Sequence, residues 1–287
     1  MTDHAFDIRR PTQQIAAVVF ASPHSGRAYP ADFVAASGLA EAVLRSSEDA
    51  FVDRLFAPAT DHGAPLIAAR APRAWIDLNR APDELDPALI DGVPHGPLNP
   101  RVLSGLGVIP RVVAGGRAIY RARLARAEAE ARIAAVWRPY HAALRALMDE
   151  TVLTFGEAIL LDCHSMPHEA IAAQGRPGRA LPEVVLGDRF GAAAAPGIVD
   201  AVEAAFRAEG FTVARNAPFA GAYVTQAYGR PARRQHVVQV EIDRALYLDE
   251  ARVEPGPGYG ETAARLQGVI ARLVAIGRPG VLPLAAE

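Results

Sequence analysis

Three short apolar runs that end at, or enclose, an ionisable residue constrain this chain more than any other feature. Residues 15–22 (IAAVVFAS) give way to Pro23-His24-Ser25-Gly26, and residues 158–162 (AILLD) to Cys163-His164-Ser165. Residues 237–242 (VVQVEI) carry Glu241 within the run. Apolar segments of this length, rich in valine and isoleucine, read as buried strands. A buried strand that ends in a polar turn is how open α/β sheets present ligand-binding groups, at the carboxyl ends of their strands.

Helical patterns separate these runs. Residues 31–47, 49–60, 121–154, 196–209 and 262–276 read as helices, with Gly210 stopping the fourth and Pro139 expected to break or kink the third. Residues 65–70, 73–78, 184–186 and 211–215 read as further strands, and 219–228 as a loop or hairpin. Alternating strands and helices argue for an α/β sandwich with a mixed, largely parallel central sheet. The Pro-, Gly- and Asp-rich stretch 81–116 is weakly periodic. We read it as a loop insertion in a single domain spanning 1–287, of the kind that serves as a lid or binding loop.

Composition excludes several functions. Of the 287 residues 51% are hydrophobic and 22% charged, enough apolar side chain for a substantial core. Net charge is −2, which gives no basic excess for nucleic acid. The polar N-terminus has no apolar core of a signal peptide, and no uninterrupted apolar run suits a membrane helix. Cys163 is the single cysteine, so an internal disulfide and a cysteine-based zinc knuckle are both excluded. The expectation is a cytoplasmic protein acting on a small molecule, without nucleic-acid or membrane partners. Its oligomeric state is left open.

The ionisable residues at the strand ends suggest a metal site. Catalytic zinc commonly takes three protein ligands from imidazole and carboxylate and leaves a position for water. His24, His164 and a carboxylate form such a set, with Glu241 free to move a proton. Alternatives stand beside each assignment. His24 fits a turn-capping structural histidine equally well. Asp49 also fits as a helix-start carboxylate, and Glu48 competes with it for either role. Glu241, an acid inside an apolar strand, is the most unusual of these residues, because a buried glutamate is rare unless paired. In Asp77-Leu78-Asn79-Arg80, the arginine's planar fork and the adjacent amide suit a carboxylate, although a surface ion pair is the commoner fate of an arginine. Cys163 alternates with His164 along an extended strand and reads as a small buried hydrophobe.

These segments occur in one order: Ser22-Pro23-His24-Ser25-Gly26-Arg27, Glu48-Asp49 with Val52-Asp53, Ile76-Asp77-Leu78-Asn79-Arg80, Asp162-Cys163-His164-Ser165, and Gln239-Val240-Glu241-Ile242 with Leu246-Tyr247. From about residue 15 to residue 250 the chain resembles the N-formylglutamate amidohydrolase family. The resemblance implies a three-layer α/β fold like that of zinc carboxypeptidases and hydrolysis of N-formyl-L-glutamate to formate and glutamate, a late step of histidine breakdown. It implies one zinc ion on His24, Asp49 and His164, Glu241 as the catalytic acid–base, and Asn79 and Arg80 as the holders of a substrate carboxylate. Other divalent transition metals suit the same donors. Carboxypeptidases carry a glutamate ligand three residues after the first histidine; here that position is Arg27, so the acid must come from Asp49 or Glu48. A deacylase or peptidase acting on another N-acyl amino acid, and an inactive relative that binds a small anion, are the competing expectations.

Overall fold

The computed structural model describes residues 5–95, 99–173 and 180–280. Seven strands form the main sheet: β1 (Phe6–Arg9), β2 (Val18–Ser22), β3 (Leu66–Ala69), β4 (Ala158–Met166), β5 (Val184–Gly187), β6 (Val213–Arg215) and β7 (Gln235–Asp243). Their spatial order is β1-β3-β2-β4-β7-β5-β6. The centre, β3-β2-β4-β7, is parallel. Edge strand β1 runs antiparallel to β3, and β5 antiparallel to β7. The sheet is therefore mixed and largely parallel, as expected.

Alternation along the central strands divides the core into two layers. Val18 and Phe20 of β2, with Leu161 and Cys163 of β4, face one hydrophobic cluster; Val19 and Ala21, with Leu160, face the other. Helices α2 (Pro196–Ala208) and α4 (Tyr259–Ile276) cover the first face, and α1 (Arg138–Phe155) the second. Such two-sided burial is why these strands read as continuous apolar runs. Leu161 is 1% exposed. Leu161→Ala is expected to cost about 2–5 kcal/mol in a denaturant titration, from lost transfer energy and the cavity left behind.

Several local expectations are corrected. Residues 73–78 form turns rather than a strand, because the amides of Trp75 and Ile76 both bond back to the carbonyl of Pro72. The 31–47 segment divides into Ala31–Ala36, Glu41–Leu44 and a 3-10 turn, Arg45–Ser47. The interruption lies where the Ser37 hydroxyl and the Gly38 amide both bond the carbonyl of Ile119. Residues 49–60 hold only the helical turns Val52–Leu55 and Ala57–Ala59. Pro139 does not break its helix; a π-turn, Ile133–Trp137, precedes it, with the Arg138 amide reaching the carbonyl of Ile133. That wider turn absorbs the clash a proline imposes on the preceding turn. Residues 219–228 contain helix α3 (Tyr223–Tyr228) instead of a hairpin. β4 continues through residue 166, so His164 lies within a strand rather than after one.

In the 81–116 stretch, residues 96–98 lie outside the described residues, as does His4. The remainder includes a short helix, Pro100–Leu103, whose first turn is capped by the Asn99 side chain, and one strand of a small ribbon, Val112–Val113 paired with Arg117–Ala118. Among the described residues no helix is long and apolar enough to cross a membrane.

Candidate metal centre

The parallel register of β4 and β7 aligns Asp162 with Gln239 and His164 with Glu241. Paired residues in a parallel ladder point to the same side, so four polar side chains emerge together near the carboxyl end of the sheet. His24 joins them from the turn after β2. That turn runs close to the β3 exit: a Cβ on Gly26 would lie 2.0 Å from the carbonyl oxygen of Ala71, so only glycine fits. Asp49 is drawn in by its backbone amide, which donates to the carbonyl of His24 at 3.0 Å.

His24, Asp49 and His164 are each 1–2% exposed, and one donor atom from each lies within 4.8 Å of the others. Each histidine turns Nε2 towards an aspartate and Nδ1 towards Asp49. His24 Nε2 is 2.7 Å from Asp77 Oδ1, and His164 Nε2 is 3.1 Å from Asp162 Oδ2. Their Nδ1 atoms turn towards Asp49 Oδ2, at 3.4 Å and 2.9 Å. The Asp77 carboxylate behind His24 favours its proton on Nε2 and leaves Nδ1 as a lone-pair donor, the usual support for a metal-bound histidine, whereas His164 Nε2 also faces the Asn79 amide, a donor, at 3.0 Å.

The donor set fits a cation. His24 Nδ1 is buried and makes no hydrogen bond. His164 Nδ1 and Asp49 Oδ2 meet at 2.9 Å, a contact that holds a proton between them or a metal ion in its place. A metal ion satisfies this contact and the unpartnered His24 nitrogen together. In its absence burial works against charge on His164, but the Asp162 carboxylate and the bond to Asp49 outweigh burial and raise its pKa well above the ordinary value. Burial likewise pushes the Asp49 carboxyl up, while the bond from His164 and the closeness of the His24 ring hold it well below the usual carboxylate range.

Glu48 is turned away. Its carboxylate meets Arg45, Nε to Oε1, at 3.1 Å. Arg27, which stands where carboxypeptidases have a glutamate, forks onto Asp53 at 3.1 and 3.0 Å.

Glu241 is 8% exposed, and its Oε1 accepts from Gln239 Nε2 at 2.8 Å. Burial first, then the negative charge of Asp49, pushes its pKa up to about 7 against the pull of His164, Arg73 and Arg244. Asn79 is committed within the site: Oδ1 caps helix α3 by accepting from Val224 N at 2.8 Å, and Nδ2 reaches Asp162 Oδ2 at 3.3 Å. Arg80 donates from Nε and Nη1 to the carbonyls of Leu106 and Asn79, bonds to neutral groups that leave its charge uncancelled.

A cavity of about 360 Å³ opens over these residues. His24, His164 and Glu241 line it, as do four arginines: Arg73, Arg80, Arg101 and Arg244. Part of its wall comes from the 81–116 stretch, through Arg101, Ser104, Leu106 and the Val112–Gly116 segment. Arg73 (Nε to Asp77 Oδ2, 3.0 Å) and Arg244 (Nη2 to Asp49 Oδ1, 3.0 Å) were absent from the sequence reading. Arginines are too frequent in this chain to stand out singly. The backing roles of Asp77 and Asp162 were also missed, though Asp162 sits two residues before His164 on the same strand face, a readable signal.

The family model of N-formylglutamate amidohydrolase matches residues 16–248. A curated relative from Pseudomonas aeruginosa, N-formylglutamate deformylase, is 33% identical over 238 residues, covering 81% of this chain and 82% of the relative. A deformylase of the same name from Pseudomonas putida is 30% identical over 261 residues, 90% of each chain. The crystal structure of N-formylglutamate amidohydrolase from Ralstonia eutropha superposes with a TM-score of 0.89 at 38% identity, covering 96% of this chain and 99% of that one. With most of its length matched in both sequence and fold, the chain belongs to the N-formylglutamate amidohydrolase family.

Proposed function

We propose that this chain hydrolyses the formyl amide of N-formyl-L-glutamate to formate and L-glutamate, using a zinc ion held by His24, Asp49 and His164. The observation that carries the metal is the convergence of both histidine Nδ1 atoms on Asp49 Oδ2, with His24 Nδ1 buried and unpartnered. The observation that carries an anionic substrate is Arg80 on the cavity wall, bonded only to neutral carbonyls, where Arg73 and Arg244 are already paired with Asp77 and Asp49. The names of the Pseudomonas and Ralstonia relatives agree with this substrate.

Bound there, zinc supplies Lewis acidity towards water and the formyl carbonyl. The rest falls to the chain. Glu241, held by Gln239, takes a proton from the attacking water and passes it to the departing amine. Burial raises its pKa above the ordinary carboxylate value, which strengthens it as a base, and a bound cation beside it draws the value back down. Arg80 grips a substrate carboxylate in the cavity, and Asn79 fixes the loop that carries it. Anchoring the carboxylate orients the amide, so binding energy at a distance from the reacting carbon serves the chemical step. Such a reaction belongs to histidine breakdown, and we place it in the cytoplasm.

Arg80→Ala is expected to raise KM by about 10–100-fold with a smaller fall in kcat, the pattern of a lost substrate anchor. Steady-state kinetics on N-formyl-L-glutamate check it. The function itself is tested by following formate release from N-formyl-L-glutamate, N-formyl-L-leucine and N-acetyl-L-glutamate, with and without a chelator. The proposal expects chelator-sensitive release, fastest from N-formyl-L-glutamate. Equal rates on N-formyl-L-leucine would remove the carboxylate anchor, and faster turnover of the acetyl compound would reassign the acyl group.

A further inference from the structure

Arg244 lines the catalytic cavity, where its charge suggests a role in substrate binding, but all three of its guanidinium nitrogens already donate within the protein. Nη2 donates to Asp49 Oδ1 at 3.0 Å, Nε to the Ser165 hydroxyl at 3.1 Å, and Nη1 to the carbonyl of Ser46 at 3.3 Å. Ser165 itself donates to the same Asp49 oxygen at 3.3 Å. The side chain is 4% exposed and starts a 3-10 turn, Arg244–Leu246, directly after β7, where the Asp243 carboxylate caps the turn at the Ala245 amide.

The two oxygens of Asp49 are thereby divided. Oδ1 belongs to Arg244 and Ser165, and Oδ2 faces the two histidine Nδ1 atoms. The backbone at this position is fixed independently, by the Asp49 amide on the His24 carbonyl and by the Arg27 fork on Asp53. What those contacts leave free is rotation of the carboxylate about its own bond. We propose that Arg244 is a positioning residue that fixes this rotation, so that Asp49 ligates the metal through Oδ2 alone and leaves room at the metal for water and substrate. This inference rests on the metal reading above and goes beyond it by giving a cavity arginine to the ligand rather than to the substrate.

Charge and position make opposite predictions. The guanidinium cation repels a metal ion, so a purely electrostatic role makes zinc bind more tightly in Arg244→Gln and leaves Arg244→Lys like the parent. A positioning role makes both variants bind zinc more weakly, because lysine keeps the charge but loses the fork that spans Asp49, Ser165 and Ser46. Losses of partners behind a metal ligand typically cost 10–100-fold in affinity.

The experiment is a zinc titration against a competing chelator on the full chain, for the parent, Arg244→Gln, Arg244→Lys and Ser165→Ala. The visible spectrum of the cobalt-loaded proteins and KM at saturating zinc are read beside it. We expect zinc affinity to fall by about 10–100-fold in both arginine variants and by less in Ser165→Ala. The cobalt bands should shift towards a higher coordination number as Asp49 becomes bidentate. Zinc affinity that is unchanged or tighter in Arg244→Gln, with KM raised tenfold or more, would overturn the proposal and make Arg244 a substrate anchor. If both arginine variants fail to fold, Ser165→Ala decides by the same readout: weaker zinc with shifted cobalt bands supports the clamp on Asp49, and parental values sink it. A parent protein that binds no zinc would overturn the metal reading together with this one, whereas parental binding with no change in any variant would overturn this one alone.

Discussion

Glu241→Gln is expected to fold, bind zinc like the parent and lose about 10²–10⁴-fold in kcat, the usual span for removing a general acid–base. Glutamine fills the same volume and keeps a carbonyl oxygen for the bond from Gln239 Nε2, so the substitution removes proton transfer and little else. The pH profile gives an independent check. Turnover requires the carboxylate form, so in the parent kcat/KM falls as pH drops through the Glu241 pKa. Burial sets that value at about 7, and the charge of a bound metal ion moves the limb to lower pH. The residual activity of Glu241→Gln should lack this acid limb. Formate release measured between pH 5 and 9 with zinc in excess tests both statements. An unchanged kcat, or an acid limb retained in the variant, would take Glu241 out of the mechanism.

The second large effect is expected at His24→Gln. This ligand is the more informative one to remove because its supporting carboxylate does not lose all its partners. Asp77 keeps the Arg73 guanidinium at 3.0 Å and the Asn79 amide at 2.8 Å. The buried charge behind the site therefore stays compensated, and the fold is spared the penalty that follows when one member of a buried pair is deleted. Only the imidazole lone pair is lost. Zinc affinity should fall by more than about 100-fold, beyond what loss of a supporting partner costs. Formate release should fall below detection at low micromolar zinc. Thermal melting of the metal-free protein, compared between parent and variant, separates this from unfolding. Parental zinc affinity in a folded His24→Gln would remove the histidine from the ligand set.

Legibility in the sequence followed the range of the interactions involved. β2, β4 and β7 were readable because each is buried on both faces and so appears as an apolar run, and an ionisable residue at the end of such a run, or within it, is conspicuous. His24, His164 and Glu241 stand out in this way, and the fold brings all three to the wall of one cavity. The choice between Glu48 and Asp49 could not be read locally. The two acids are adjacent, and what separates them is tertiary: one meets Arg45, and the other is pulled in by the His24 carbonyl.

Helix α3 was missed for a similar reason. The residue that caps its first turn is Asn79, 145 positions away, so no capping signal stands before Tyr223. The same bond anchors Asn79 in the scaffold of the cavity that its side chain also lines. Edge strand β1 did carry a period-two pattern in Phe6-Asp7-Ile8-Arg9, but four residues with three of them exposed make a weak signal. Arg244 was hidden by composition, since one arginine among many becomes significant only when its fork is seen on Asp49.

One cation is expected where three donor atoms from three separate segments converge. Diffraction from zinc-loaded crystals at the zinc absorption edge tests it most directly. A single strong anomalous peak is expected about 2.0–2.2 Å from His24 Nδ1, His164 Nδ1 and Asp49 Oδ2, with Asp49 Oδ1 still on Arg244. A peak on the Nε2 side of either ring, a peak at Glu48, or no peak in the cavity at all would contradict it.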